Sequence, residues 1–144
     1  MRFAARVELF EDLCVPNLSP DLATNPAIRI LVVDDEQSVL RAVRMTLEFY
    51  GYEVTTCTSG PKAVELCKAS KFDAVVTDYA MPDMKGDELA ALIKGICPEC
   101  PILLLSAHAE MLARERLGLV ACVLSKPFLP QALNVALRAS LKQV

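Results

Sequence analysis

Apolar residues along the chain gather in five short runs, which alternate with stretches where apolar positions recur at helical spacing. Most of these runs are near-continuous rather than alternating, as is typical of strands that are covered on both faces. They occupy residues 28–33, 53–57, 72–77, 102–105 and 120–124. Five strands interleaved with helices predict a doubly wound α/β domain that is built on a parallel sheet.

The stretches between the strands carry the start and stop signals of helices. The first predicted helix spans 38–50 and ends at Gly51, and Ser59 is a predicted N-cap for the second. The others are predicted after Gly86, at about 109–117 and near the end of the chain. Buried faces are expected at Leu89, Leu92, Ile93 and Ile96, and at Leu133, Ala136, Leu137 and Leu141.

Residues 1–27 do not continue this pattern. Pro16, Pro20 and Pro26 make 14–27 resemble a linker, and residues 2–13 could form one short amphipathic helix. The predicted organisation is therefore an N-terminal extension at 1–27, with no assigned function, and one domain at 28–144.

Composition narrows the class of protein. The 144 residues are 53% hydrophobic and 23% charged, with a formal net charge of −3, so no basic surface for nucleic acid is indicated. No apolar run reaches the roughly 18 residues of a membrane span, and acidic residues interrupt the N-terminus too early for a secretory signal. We expect a cytoplasmic protein that binds neither membranes nor nucleic acid directly.

Six cysteines raise the question of disulfides or metal. Cys57, Cys67 and Cys122 lie in apolar patterns, where cysteine behaves as a small core residue. Cys97 and Cys100 form a CxxC that follows a helix, whereas a reactive thiol of this kind usually begins one. We interpret that pair as part of a solvent-side loop, and no further zinc ligands are identified.

Polar residues stand directly after four of the predicted strands. Because crossover connections in such a sheet are right-handed, all the carboxyl ends lie on one side, where ligands bind in this class of fold. Any one of these residues alone would be an ordinary turn or cap residue. Together, in this order, they predict a functional site: Asp34 and Asp35, Asp78, Ser106, and Lys126.

The residue types indicate phosphoryl chemistry. Carboxylates about 4 Å apart repel by roughly 4 kcal/mol at an effective dielectric near 20, so three of them require a cation to stay ionised. Ligation by oxygen alone favours Mg²⁺. A carboxylate can attack phosphorus, and the spreading negative charge can be met by Mg²⁺, by the Lys126 ammonium and by the Ser106 hydroxyl.

Four segments give this arrangement a family resemblance. They are ILVVDDE (30–36), VVTDYAMP (75–82) followed by Gly86, LLLSA (103–107) and LSKPF (124–128). In order and spacing the chain resembles the receiver domain of two-component response regulators over essentially all of 28–144. The resemblance implies a flavodoxin-like fold with strand order 2-1-3-4-5 and helices on both faces.

The resemblance also implies residue roles. Asp78 would be the phosphoacceptor, which receives its phosphoryl group from a histidine kinase or a phosphotransfer protein. Asp35 and Asp78 would bind Mg²⁺ directly and Asp34 largely through water, and the backbone carbonyl of Ala80 would complete the protein ligands. Such a domain is a regulatory phosphoacceptor, not an enzyme, and assists only its own phosphotransfer and slow autodephosphorylation.

Activation is implied to change a surface for a downstream protein. Ser106 and Lys126 would contact the phosphoryl group, and the changed surface would span roughly 108–142. The family often has Phe or Tyr where this chain has Val123, so the aromatic half of its usual switch is in question. The small Ala80 is expected to leave the acyl phosphate open to water.

Two other functions fit the same fold class. The first is a phosphatase with an aspartyl intermediate, although residues 33–36 do not match the DxDx[TV] pattern of the haloacid-dehalogenase type. The second is a pseudo-receiver that serves only as an interaction scaffold, against which the complete set of Asp35, Asp78, Ser106 and Lys126 argues. Neither GxGxxG nor GxxxxGK[ST] occurs, so no nucleotide is implied.

Overall fold

A computed structural model describes residues 27–109 and 118–142 of the chain. Within them five parallel strands form one sheet in the order β2-β1-β3-β4-β5, as the resemblance implied. The elements are β1 Arg29–Val33, α1 Gln37–Phe49, β2 Glu53–Cys57, α2 Gly60–Ala69, β3 Ala74–Asp78, α3 Gly86–Ile96, β4 Ile102–Ser106, β5 Cys122–Ser125 and α4 Pro130–Lys142.

Successive side chains along each central strand enter two different cores, because a strand presents alternate residues to opposite faces. In β1, Ile30 and Val32 join one core, and Leu31 and Val33 join the other. Helices α1 and α4 cover the first face, whereas α2 and α3 cover the second. Burial on both faces explains why the strands are continuous apolar runs.

Local signals end and begin the helices as the sequence predicted. Gly51 follows α1 with a φ of 95°, a left-handed conformation that glycine adopts without steric cost. The Ser59 hydroxyl oxygen accepts a hydrogen bond from the Lys62 backbone N–H at 3.2 Å and so caps α2. These two signals mark where α1 ends and where α2 begins.

Two predictions of burial are wrong. Leu92 is 47% exposed, because α3 packs through a stripe centred on Leu89, Ala90 and Ile93 and turns Leu92 to the side. Cys100 is only 4% exposed and packs in the core under α2 and α3, so the CxxC is not a purely solvent-side loop.

Some predictions fall outside the described residues. They are the helix at about 109–117, apart from its first residue, and nearly all of the extension at 1–27. None of the described helices is both long and apolar enough to cross a membrane.

Candidate functional site

The sheet brings the ends of β1, β3, β4 and β5 together at one place, which we call the carboxyl end of the sheet. Asp78 is the last residue of β3 and pairs in register with Leu105 of β4, one residue before Ser106. The Lys126 backbone N–H donates to the Ser106 carbonyl at 2.8 Å, which carries the ladder one residue beyond β5. Backbone pairing thus places side chains from distant parts of the chain side by side.

Three carboxylates form the centre of the site. Asp34, Asp35 and Asp78 each offer an oxygen, and these oxygens lie within 4.8 Å of one another. Asp34 is 2% and Asp78 7% exposed, whereas Asp35 is exposed. Across residues 27–109 and 118–142 no other three His, Cys, Asp or Glu side chains are grouped this closely.

Lys126 supplies the positive charge inside the cluster. Its Nζ lies 2.6 Å from Asp78 Oδ1 and 3.8 Å from Asp34 Oδ2. Partial burial of Lys126 lowers the pKa of its ammonium, but the hydrogen bond to Asp78 and the charges of Asp78 and Asp34 outweigh this, so the pKa is raised. The ammonium is therefore firmly charged and holds the Asp78 carboxylate in place.

Asp34 is the carboxylate that the protein leaves unsatisfied. Its Oδ1 accepts from the Glu36 backbone N–H at 2.9 Å, but its buried Oδ2 has no hydrogen-bond partner. Burial is the main cause that raises the Asp34 pKa to about 6; Asp78 and Asp35 add to it, against the Glu36 N–H and Lys126. A buried oxygen without a partner is costly, and a hard cation beside it would remove that cost.

A cleft of about 350 Å³ opens over Asp78. Its walls include the exposed Ala80, the half-buried Tyr79 and the buried Ser106. The Ser106 Oγ accepts from the His108 backbone N–H at 3.0 Å, which fixes the hydroxyl at the rim of the cleft. His108 also lines the cleft. The space beside Asp78 is thus lined by a hydroxyl, an ammonium and backbone groups.

Gly86 has a role in the site that the sequence motif did not explain. Its backbone N–H donates to the Tyr79 carbonyl at 2.8 Å. A Cβ at this position would lie 2.7 Å from the Asp78 carbonyl oxygen and 2.9 Å from the Tyr79 Cα. Only glycine allows α3 to start this close to the residue that carries the central carboxylate.

Val123 lies within β5, where it is half buried and pairs with Leu104. This position of β5 therefore carries no aromatic ring. The effect of Val123 on switching stays a prediction.

The family model described as "Response regulator receiver domain" matches residues 30–138. A curated relative, the response regulator MprA of Mycobacterium tuberculosis, is 35% identical over 120 residues, which are 81% of this chain and 52% of that protein. The chain thus spans about half the length of the curated relatives of this kind.

Solved structures agree with the family match. The response regulator TrrA of Thermotoga maritima, in complex with Mg²⁺ and BeF, is 28% identical with a TM-score of 0.74, covering 78% of this chain and 97% of that one. The chemotaxis response regulator CheY4 of Vibrio cholerae is 29% identical with a TM-score of 0.72, covering 80% and 99%. The chain belongs to the response regulator receiver family.

Proposed function

From this membership of the receiver family, we propose that the chain is a phosphorylation-activated switch of a two-component phosphorelay, with Asp78 as phosphoacceptor. The observation that carries the proposal is the position of Asp78, buried at the end of β3, between two further carboxylates and the Lys126 ammonium at 2.6 Å. This is a carboxylate held in a charged cluster beside an open cleft, as attack on phosphorus requires.

The same cluster suits Mg²⁺. Asp35 and Asp78 would hold the ion directly, the Ala80 backbone carbonyl would be the third direct protein ligand, and Asp34 would act largely through water. The Asp34 Oδ2 atom supports this assignment, because water bound to a divalent cation would donate the hydrogen bond that this oxygen lacks. When bound, Mg²⁺ neutralises the carboxylates and the incoming phosphoryl oxygens, which makes charge balance possible.

The protein groups would act as follows during transfer. An Asp78 carboxylate oxygen attacks phosphorus while the bond from phosphorus to the donor breaks. The Lys126 ammonium moves from the carboxylate to a phosphoryl oxygen, and the Ser106 hydroxyl donates to another. The negative charge added to Asp78 then changes the contacts that Ser106 and Lys126 make, which biases the surrounding loops between two states.

Partners and location follow from this role. A histidine kinase or a phosphotransfer protein would supply the phosphoryl group in the cytoplasm, and a downstream protein would read the surface at 108–142. We propose no direct binding of nucleic acid or membrane by the chain described here. The role is regulatory, with catalysis limited to its own phosphotransfer and slow autodephosphorylation. The phosphatase and pseudo-receiver alternatives are not favoured.

Incubation with acetyl phosphate tests the proposal. With Mg²⁺ we expect mass spectrometry of the intact protein to show one phosphoryl group that survives acid and is lost in base. Asp78→Asn should abolish it. Asp83→Asn, a change of the same chemistry at an exposed position five residues later, should not. Continuous release of phosphate without a stable adduct would favour the phosphatase, and no reaction at all would favour the scaffold.

Ala80 is proposed to set the lifetime of the phosphorylated form. This exposed, small residue lines the cleft beside Asp78 and leaves room for a water molecule. A bulky residue at position 80 should slow the loss of the phosphoryl group, and an unchanged rate would remove the proposal.

A further inference from the structure

A group of three thiols lies at the opposite end of the sheet, the amino end, where the strands begin. Cys67 of α2, together with Cys97 and Cys100 of the turn between α3 and β4, lines one cavity of about 490 Å³. All three are free thiols. They take no part in the chemistry proposed for Asp78, which lies beyond the carboxyl end of the same strands.

The backbone brings Cys97 and Cys100 close to each other. The Cys100 N–H donates to the Cys97 carbonyl at 3.2 Å, which closes a β-turn over Pro98 and Glu99. Pro98 occupies the second turn position, where its fixed φ is favoured. A β-turn keeps its first and last Cα atoms within about 7 Å, close to the range that a disulfide bridges.

A neighbouring side chain holds this turn in place. The Lys94 Nζ donates to the Pro98 carbonyl at 3.2 Å and to the Cys100 carbonyl at 2.8 Å. The turn is therefore tied to the last part of α3 by two further hydrogen bonds. Ordering before reaction reduces the entropy that a cross-link must remove.

The geometry does not favour a closed metal site here. The three sulfur atoms are not within 4.8 Å of one another, since the only group of three or more possible ligands at that spacing in 27–109 and 118–142 is the carboxylate cluster. Cys67 also belongs to a different element, with no backbone hydrogen bond that fixes its distance from the turn. The pair within the turn is thus the better constrained partner set.

We propose that Cys97 and Cys100 form a reversible dithiol–disulfide site whose oxidant is an anionic low-molecular-mass disulfide. Cys97 is half buried and open to the cavity, whereas Cys100 is only 4% exposed. Lys68 and Lys71 line the cavity with Glu99 as the one acidic residue there, which attracts an anion. Access therefore makes Cys97 the first thiol to react and Cys100 the second.

The reaction is two thiol–disulfide exchanges. The Cys97 thiolate attacks one sulfur of the oxidant, a protein–small-molecule S–S bond forms, and one small thiolate leaves. The Cys100 thiolate then attacks the Cys97 sulfur, the internal S–S bond forms, and the second small thiolate leaves. The two protein thiols lose two electrons and two protons, and one molecule of oxidant takes them up as two small thiols.

The surroundings of Cys100 support this order. Burial is the main cause that raises the Cys100 pKa to about 12, and the charges on Cys97 and Cys67 add to it. Cys100 is thus a poor first nucleophile. Conversion of Cys97 to a mixed disulfide removes the negative charge of the Cys97 sulfur, which opposes ionisation of Cys100, and the short turn then favours the internal attack.

Peptide mapping after treatment with glutathione disulfide tests the proposal. The reduced full chain is exposed to the oxidant, quenched with acid and cut with trypsin, which releases Gly95–Arg114 with both cysteines and 63–68 with Cys67. We expect Gly95–Arg114 to become lighter by two hydrogen atoms, and a reducing agent to restore its mass. A link between that peptide and 63–68, or no change in either, would overturn the assignment.

Variants separate the two steps. Cys100→Ala should stop at a glutathione adduct on Cys97, and Cys97→Ser should lower modification of Cys100 by at least about tenfold. Cys122→Ser, at a cysteine in β5 outside this cavity, is the matched control and should behave as wild type. The buried Cys57 reports on folding, since an unfolded variant would expose and modify it as well. If glutathione disulfide modified Cys100 in Cys97→Ser as fast as it oxidises the wild-type chain, the proposed order would be contradicted.

A neutral oxidant tests the charge of the cavity. Lys71→Gln should slow the reaction with glutathione disulfide about threefold and leave the reaction with bis(2-hydroxyethyl) disulfide unchanged. Equal effects on both oxidants would show that charge does not select the reagent.

Discussion

Strands β1 and β3 carry charged residues at both ends, and the two ends are built differently. At the amino end the Arg29 backbone N–H donates to Asp73 Oδ2 at 2.8 Å, and the Arg29 guanidinium donates to the Lys71 carbonyl at 2.8 Å. These groups are exposed and partnered. At the carboxyl end Asp34 and Asp78 are buried, and one oxygen of Asp34 has no hydrogen-bond partner.

The charged groups at the amino end are satisfied by other groups of the protein. The buried carboxylates at the carboxyl end are not fully satisfied, which is typical of a binding site. Exposed charged groups that pair within the protein stabilise the folded state only a little, and they need no further ligand. Buried carboxylates that face each other lose hydration and repel, which a protein tolerates only where a paired side chain, an ion or a substrate balances their charge. Acidic residues at strand ends thus indicate a functional site when they are buried and lack hydrogen-bond partners.

The largest expected effect comes from the tight packing behind the carboxyl end. Gly86→Ala should destabilise the domain by about 3 kcal/mol, because the new Cβ meets the Asp78 carbonyl, the Tyr79 Cα and a Leu104 methyl group at 2.7 to 2.9 Å. Urea unfolding measures this. Gly95→Ala is the matched control, since it lies in the same helix with nothing within 4 Å, and should be neutral or stabilising. Equal effects of the two changes would contradict the close approach.

Removal of the unsatisfied charge should have the next largest effect, with the opposite sign. In the presence of EDTA, Asp34→Asn should stabilise the domain by about 2 kcal/mol at about pH 7.5, since it deletes a buried charge that repels its neighbours. The stabilisation that Mg²⁺ gives to wild type should be lost. Lower stability of the variant in EDTA would refute the repulsion.

The sign of the pH dependence follows from the raised pKa of Asp34. Its value in the fold is about 6, above the ordinary 3.8, so the folded state holds the proton more tightly. Ionisation therefore costs stability as the pH rises between those values, and the cost is complete above them. The advantage of Asp34→Asn should accordingly be small near the lower value and grow to its full size above the higher one.

The affinity for Mg²⁺ should depend on the same proton on Asp34. Because the ion displaces it from Asp34, affinity should rise about tenfold per pH unit below about 6 and level off above. Titration calorimetry at several pH values measures this slope. A flat profile through this range would show that Asp34 is already ionised without the ion.

The smallest effect is expected at the amino end. Asp73→Asn keeps an acceptor for the Arg29 N–H and removes only an exposed charge, so it should cost about 1 kcal/mol or less. Mg²⁺ affinity and acceptance of the phosphoryl group should remain at wild-type levels. If this change weakened Mg²⁺ binding as much as Asp34→Asn, the two ends of the sheet would not be independent.

Much of the fold was predictable because the signals are local. Continuous apolar runs such as 102–105 predicted strands buried on both faces, and Gly51 and Ser59 marked helix boundaries through their own backbone and side-chain preferences. The order of Asp34, Asp35, Asp78, Ser106 and Lys126 after successive strands predicted a shared site, since parallel strands end on one side.

What the sequence by itself determined, then, was which residues end the strands and which chemistry they could support. Only the tertiary structure decided that Leu92 faces outward, that Cys100 is buried, that Gly86 must lack a Cβ, and that Asp34 Oδ2 has no hydrogen-bond partner. Those properties depend on contacts between residues that are far apart in the chain. Lys126 and Asp78, for example, are 48 positions apart, yet Lys126 Nζ lies 2.6 Å from Asp78 Oδ1. Periodicity encodes which side of an element is apolar, but distances and unmet hydrogen bonds arise only when elements pack.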